Sequence, residues 1–436
     1  MLEEKETKII QNPNKKDMEA IGRLLRDGGL VAIPTETVYG LGANGLDAEA
    51  MSRIYEAKGR PSDNPLILHV PDIEAVIPLV KEITPTAKAL MEAFWPGPLT
   101  ITLEKSDLVP DKATGGLSRV ALRCPNHALC HDILQAAGVP IAAPSANLSG
   151  RPSPTTAAGV WYDMKGRIDL IVDAGPCQIG VESTVVECGQ DAVTILRPGG
   201  ITADMLRTVV KEVRYDTVLQ AGTAAPKAPG MKYKHYAPDA EMIGFVGAVG
   251  SVAKRMNEAL TQIKAEGLDP YIAGLGFSKL ASDTLPDRLM DNSKINNKVN
   301  HKQIRISRPL KLGLLVSEEV SLALAKEWQD LGLEKVNTIS EGNNLSQSDT
   351  YGVLEDAGCQ LKSVSYRGLD LVLVVYGKHN EAPALARVFY EALLYFNEEG
   401  VQGILAEGLS KEGLGMAVMN RMEKATAHRI IYTNNN

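Results

Sequence analysis

The sequence predicts an α/β protein of two units, a mixed α/β domain followed by a smaller, doubly wound α/β domain. Three observations carry that prediction. Short β-branched runs alternate densely with amphipathic helices over residues 1–212. A stretch rich in Ala, Pro and Gly, QAGTAAPKAPGMKYKHYAPDA (220–240), then interrupts the pattern. Beyond it the units lengthen into strand–helix alternation, which implies a parallel sheet. The boundaries read as 1–212, a linker over 213–242, and 243–436. At 436 residues the chain exceeds the size at which a single core usually stops growing.

In chain order, DMEAIGRLLRDGG (17–29) predicts a helix capped by Asp17, and LVAIP (30–34) a buried strand. DAEAMSRIYEAKG (47–59) predicts a helix between an Asp47 cap and Gly59. PLILHV (65–70), LTITLE (99–104), RVALR (119–123), VPIAA (139–143), IDLIVDAG (168–175), STVVEC (183–188) and AVTILRPG (192–199) read as strands. TPTAKALMEAFWPG (84–97) is a helix with Thr84 as cap and Pro85 in the first turn.

In the second half, EMIGFVG, the helix 251–267 and DPYIAGLGF predict strand–helix–strand. KLGLLVS (311–317), SLALAKEWQDLG and VNTIS continue it, and LDLVLVVYG, the helix 382–400, GILAEGL and GLGMAVMNRMEKAT complete it. RLMDNSKINNKVNHKQIRISRPLK (288–311) carries seven Lys/Arg against one Asp and reads as an exposed insertion, with a nucleic-acid contact as the alternative.

Composition narrows the function classes. A formal net charge of −7 disfavours a general nucleic-acid coat. The longest apolar runs, such as LDLVLVV (369–375), have strand length rather than the ~20 residues of a membrane span. MLEEKETKII lacks the apolar core of a secretory signal. Five scattered cysteines point to a reducing compartment, so a cytoplasmic enzyme or binding protein is expected. There is no G-x-x-x-x-G-K-[ST] phosphate loop and no G-x-S-x-G nucleophile elbow. CPNHALCH (124–131) has the residue types of a metal site. A helix starting at Pro125 would set His127 and His131 on one face with Cys130 turned away, which does not make a tetrahedron.

Polar clusters between the elements of the first half are more informative. PTETVYGLG (34–42) offers Thr35 and Thr37. KGRPSDN places Lys58 and Arg60 at an exposed helix end, where phosphate or carboxylate binding competes with a plain basic turn. LRCP puts Arg123 at a strand end, APSANLSGRPSPTT (143–156) follows another strand, and ESTVV and ILRPG add Ser183, Thr184 and Arg197. Each hydroxyl alone is an ordinary turn residue. Together with four cations they suit recognition of a triphosphate and a carboxylate.

The pair Lys58 and Arg60 (K-x-R), with Ser145 and Asn147 (S-x-N), resembles the tetrad of the YrdC-like domain. PTETVYGLG, NPLILH, PGPLT, LRCP, SANLSG, ESTVV and RPGG match that pattern in order over roughly residues 15–210. PGMKYKHYAP (229–238) and the additional Rossmann-like domain resemble the long, two-domain form of the threonylcarbamoyl-AMP synthase family.

That resemblance implies synthesis of threonylcarbamoyl-AMP and pyrophosphate from L-threonine, bicarbonate and ATP. A downstream transfer machinery would then modify adenosine in tRNA; direct tRNA binding by this chain stays open. Thr35, His69, Arg123, the backbone near Ala143, and Ser183 are implied for threonine. Lys58, Arg60, Ser62, Arg119, Ser145, Asn147, Ser153, Arg197 and Tyr236 are implied for ATP, with Mg2+ accompanying the triphosphate. Arg119 departs from the family pattern, which more often has Thr there. PGMKYKHYAP would act as a lid. The alternative is an RNA-binding or regulatory YrdC-like module without synthase activity, against which the intact tetrad, His69 and Arg123 weigh.

Overall fold

The protein is seen in a computed structural model that describes residues 5–189, 192–216, 236–275, 309–330 and 349–433. Linker residues 217–235, the basic segment up to 308 and the strand expected at 336–340 lie outside the described residues.

The first unit begins β1 (Lys8–Gln11), α1 (Lys15–Arg26), β2 (Val31–Ile33), β3 (Gly40–Asn44), α2 (Ala48–Lys58) and β4 (Ile67–His69). After a 3-10 turn at Glu74–Leu79 come α3 (Pro85–Phe94), β5 (Leu99–Glu104), α4 (Asp111–Thr114), β6 (Arg119–Arg123), α5 (Ala128–Ala137) and β7 (Ile141–Ala142). It closes with α6 (Ala157–Met164), β8 (Leu170–Asp173), β9 (Thr184–Cys188), β10 (Ala192–Arg197), α7 (Ala203–Arg207) and β11 (Glu212–Tyr215). These strands form one mixed sheet in the order β1-β8-β2-β3-β7-β4-β6-β5-β9-β10-β11.

Most predicted strands and helices are present. The α1 cap is Asn14 rather than Asp17: the Asn14 side chain accepts from Lys16 and Asp17, and Asp17 closes a capping box from the third helical position. His127 caps α5 instead of lying on its face, its Nδ1 accepting from the Cys130 amide at 3.3 Å. The glycine-rich β3 was not expected as a strand. Its low intrinsic propensity is overridden by antiparallel pairing with β2 on one side and β7 on the other.

The second unit contains β12 (Glu241–Val246), α8 (Val249–Glu266), α9 (Leu268–Gly274), β13 (Leu310–Ser317), α10 (Glu318–Asp330) and α11 (Asp349–Asp356). Then follow β14 (Gln360–Tyr366), β15 (Leu369–Tyr376), α12 (Ala382–Glu398), β16 (Gly403–Glu407), α13 (Gly415–Ala425) and β17 (Ile430–Tyr432). Its sheet runs β14-β15-β13-β16-β12-β17. Every pairing is parallel except that of the edge strand β14, so the sheet is doubly wound but mixed. DPYIAGLGF, expected as a strand, forms α9 up to Gly274. Pro270 in its first turn suits a helix start and would remove a ladder donor from a strand.

One face of this sheet packs α8 and α10 through Val252, Met256, Leu260, Val320 and Leu324. The other face packs α12 and α13, and here the apolar cluster crosses into the first unit. Val38 and Val181 join Leu385, Phe389 and Tyr390 in one continuous core. Helix α12 is consequently buried nearly all round, from Leu385 through Phe396. Gly180 marks the closest approach: its φ is +82°, and a Cβ there would sit 2.2 Å from the Ala386 carbonyl oxygen of α12.

Candidate active site

A cleft is lined by Pro65 to Ile67 and His69, the segment that leads into and forms β4. Its walls bring together Thr35, Lys58, Arg60, His69, Arg123, Ala143, Ser145, Asn147, Ser153, Ser183, Arg197 and Tyr236. Two expected residues are not on those walls. Ser62 stands on an exposed turn after α2. Arg119 begins β6 and donates to the Thr102 carbonyl at 2.7 Å. Alternation along the strand gives it the same face as Arg123 but about 13 Å away.

The wall built from the β2–β3 loop, β4 and β6 is tightly cross-linked. Thr35 Oγ1 donates to the Val38 carbonyl at 2.7 Å and accepts from the Thr37 amide at 3.1 Å, fixing the PTETV turn. The parallel register sets His69 beside Arg123. Arg123 Nη2 donates to Glu36 Oε2 at 2.6 Å, and both side chains are buried. His69 is buried too, with no hydrogen-bond partner on Nδ1. Burial and the neighbouring Arg123 push its imidazole down to about 3, so it is neutral at physiological pH.

Lys58 corrects an expectation. It ends α2, but the site is not an exposed helix end: only 2% of the residue is accessible. Its Nζ donates to the carbonyls of Ser145 at 2.6 Å and Asn147 at 2.5 Å. Burial first, and the adjacent Arg60 second, hold its ammonium well below the usual lysine range. Ser145 Oγ donates to Asn147 Oδ1 at 2.5 Å, while Asn147 Nδ2 donates to the Leu148 and Arg151 carbonyls at 2.7 and 2.9 Å. The K-x-R and S-x-N motifs thus meet through the lysine, which shapes the loop carrying Ser145 and Asn147. Arg60 Nη2 donates to the Pro65 carbonyl at 3.1 Å, and both residues line the cleft.

The opposite wall comes from the start of β9 and the end of β10. Arg197 donates through Nε and Nη2 to the Ser183 carbonyl at 3.1 and 3.0 Å, and Nη2 also reaches Ser183 Oγ at 3.1 Å. These two loops approach so closely that a Cβ on Gly199 would lie 2.2 Å from the Thr184 amide nitrogen. Ser153 Oγ donates to Glu182 Oε1 at 2.6 Å.

Sequence reasoning passed over Glu36, Arg151 and Glu182. Arg151 and Glu182 line the cleft, and Glu36 lies behind Arg123. All three fall inside the stretches PTETV, SANLSGRPS and ESTVV. A search for groups that bind anions gives no reason to select the two carboxylates, though Glu36 adjoins Thr35 and Glu182 adjoins Ser183; Arg151, a cation two residues before Ser153, was open to that search.

The description "Telomere recombination" belongs to the family model matching residues 23–199, and "Threonylcarbamoyl-AMP synthase, C-terminal domain" to that matching 201–427. The threonylcarbamoyl-AMP synthase of Pyrococcus abyssi is 37% identical over 408 residues, covering 93% of each chain. The chain belongs to the threonylcarbamoyl-AMP synthase family. The synthase of Bacillus subtilis is 35% identical across 96% of this chain and 95% of its own. A structure of Pyrococcus abyssi Sua5 complexed with L-threonine superposes with a TM-score of 0.72 at 34% identity, over 98% of this chain and 99% of that one. The two-unit architecture is therefore that of the family.

Proposed function

We infer that this enzyme makes threonylcarbamoyl-AMP from L-threonine, bicarbonate and ATP, supplying an intermediate for tRNA modification. The observation that supports this most directly is the cleft itself. One wall offers Arg123 and a neutral His69, the other Arg197, Ser153 and Tyr236, and Lys58 with the Ser145–Asn147 loop forms the floor between them. Such a site suits a small zwitterion and a polyanion side by side.

The reaction joins two anions. The threonine amine attacks the carbon of bicarbonate and water leaves, giving a carbamate. A carbamate oxygen then attacks the α-phosphorus of ATP, the bond to the β-phosphate oxygen breaks, and pyrophosphate departs. No side-chain nucleophile is required. The chain's task is to screen charge and hold the reactants in line, which can contribute roughly 7–11 kcal/mol. Arg123 would pair the threonine carboxylate while Glu36 fixes its fork. His69, being neutral, would offer the threonine a hydrogen bond without adding charge. Arg60 and Arg197 would face phosphate oxygens, and Tyr236 the nucleotide. Magnesium would enter with ATP, held by phosphate oxygens and water. Among the described residues no cluster of three or more His, Cys, Asp or Glu could hold a metal.

The test is pyrophosphate release with ATP, threonine and bicarbonate omitted in turn. Release should need all three, with serine a poorer substitute for threonine. Equal turnover without threonine would refute the synthase reading in favour of a simple ATPase.

A further inference from the structure

We propose that Arg421, on α13 of the second unit, is a positioning residue for the nucleotide wall of the cleft. The inference rests on the synthase reading and assigns the second unit a part in it. Arg421 is fully buried, 239 residues along the chain from the carboxylate it meets. Its Nε donates to Glu182 Oε2 at 2.9 Å, its Nη2 to the Glu182 carbonyl at 3.4 Å, and its Nη1 to the Pro198 carbonyl.

Those acceptors belong to two different loops. Glu182 immediately precedes Ser183 at the entry to β9, and Pro198 immediately follows Arg197 at the exit from β10. One planar guanidinium therefore ties together the loops that deliver Ser183 and Arg197 to this wall. Glu182 extends the link, since its other oxygen accepts from Ser153 Oγ at 2.6 Å. Tyr390 of α12 donates to both Glu182 oxygens at 3.1 Å. Arg421 also lies 5.9 Å from the centroid of the Tyr236 ring, which faces the cleft. Burial would push the Glu182 carboxyl up, yet Arg421, Arg197 and the Ser153 hydroxyl hold it down at about 2. The carboxylate is charged at any working pH.

The plain competing account is an ion pair that only glues the two units. Buried pairs are poor glue, because desolvation consumes most of their attraction. A glue role would also treat both substrates alike. The other wall is braced without Arg421: Arg123 is held by Glu36 and by the Gly97 carbonyl, both in the first unit. Of the residues this tie positions, Arg197, Ser153 and Tyr236 are assigned to ATP and only Ser183 to threonine, so positioning by Arg421 acts chiefly on ATP.

The experiment is steady-state pyrophosphate formation by the full chain, with ATP and threonine varied separately, for wild type, Arg421→Ala, Arg421→Lys and Glu182→Gln. Circular dichroism and thermal melting establish which variants are folded at the assay temperature. Arg421→Ala should raise the KM for ATP at least tenfold with the KM for threonine within twofold. Arg421→Lys should recover part of the loss, because it restores a cation without the fork, and Glu182→Gln should shift ATP in the same direction. If Arg421→Ala does not fold, Arg421→Lys and Glu182→Gln decide by the same split. An unchanged KM for ATP, or equal rises for both substrates, overturns the proposal. A wild-type enzyme that released no threonine-dependent pyrophosphate would remove the synthase reading itself, and this inference with it.

Discussion

The polar ties of the cleft wall carrying Thr35, His69 and Arg123 come from the first unit, whereas those of the wall carrying Ser153, Ser183 and Arg197 include side chains on helices of the second. On the first wall the ties are short-range in the fold: a turn closed by Thr35, and a buried Arg123–Glu36 pair at 2.6 Å. On the second wall first-unit ties such as Arg197 to the Ser183 carbonyl are joined by others that cross the unit boundary, with Arg421 and Tyr390 converging on Glu182. A second buried glutamate sharpens the contrast. Glu391 of α12 accepts from the Thr155 amide and hydroxyl at 3.2 and 2.6 Å, with no cation among these donors, and its burial raises its pKa. Glu182 has Arg421 and stays ionised. The interface thus places its guanidinium where a carboxylate bears on the cleft.

The largest expected effect strikes the floor that both walls share. Lys58→Ala removes the donor to two carbonyls in the Ser145–Asn147 loop, so both substrates should suffer together. Pyrophosphate formation should fall more than ~100-fold, and stability by about 2–4 kcal/mol, since each buried acceptor left without a donor costs about 1–3 kcal/mol. Kinetics and urea denaturation check this. A variant of wild-type stability would mean that those two bonds do not hold the loop.

A paired substitution aims to break the comparison directly. Arg123→Lys should raise the KM for threonine about 10–100-fold while leaving ATP nearly unchanged, because a point charge cannot replace a fork shared by Glu36 and a carboxylate. Ser153→Ala should do the reverse and more mildly, raising the KM for ATP about 3–10-fold, as suits a hydrogen bond with a net worth of about 0.5–1.5 kcal/mol. If the two variants gave the same pattern, the walls would not be separate functional surfaces.

The unequal bracing also explains what could be read in the sequence. The first wall and the floor come from motifs whose residues advertise themselves: threonines beside a glycine turn, and basic or polar residues between strands. Element types followed too, because RVALR or LTITLE alternates or runs apolar over strand length. The strands that escaped, β1, β3, β11, β14 and β17, owe their existence to partners. Arg421 escaped for a related reason. It lies among Ala417, Val418, Met422 and Ala425 on the buried face of α13. An arginine three residues after one apolar position and one before another was a readable anomaly. Its partner, 239 residues earlier in the chain, was not readable at all.

The smallest effect separates the walls by titration. His69 is held at about 3 when folded, against 6.5 for an ordinary histidine, so between those values the unfolded chain takes up a proton that the folded chain refuses. Stability therefore falls as pH drops from 6.5 towards 3, by at most about 1.4 kcal/mol for each pH unit from this group. Glu182 behaves with the same sign in a lower window. Its folded value of about 2 lies below the ordinary 4.5, so its contribution is complete above 4.5 and is lost only as pH falls from there through 2. Between pH 6.5 and 5 the buried neutral His69 should cost global stability while the Arg421–Glu182 contribution stays complete. Turnover is a poor readout here because bicarbonate titrates in the same range; equilibrium binding of threonine and of ATP, with urea midpoints, is better. Threonine affinity of the folded chain should stay level from pH 7 to 5, because His69 is neutral throughout that range, while His69→Asn should reduce the slope of stability with pH. Identical stability profiles for wild type and His69→Asn would show that the imidazole is not buried neutral beside Arg123.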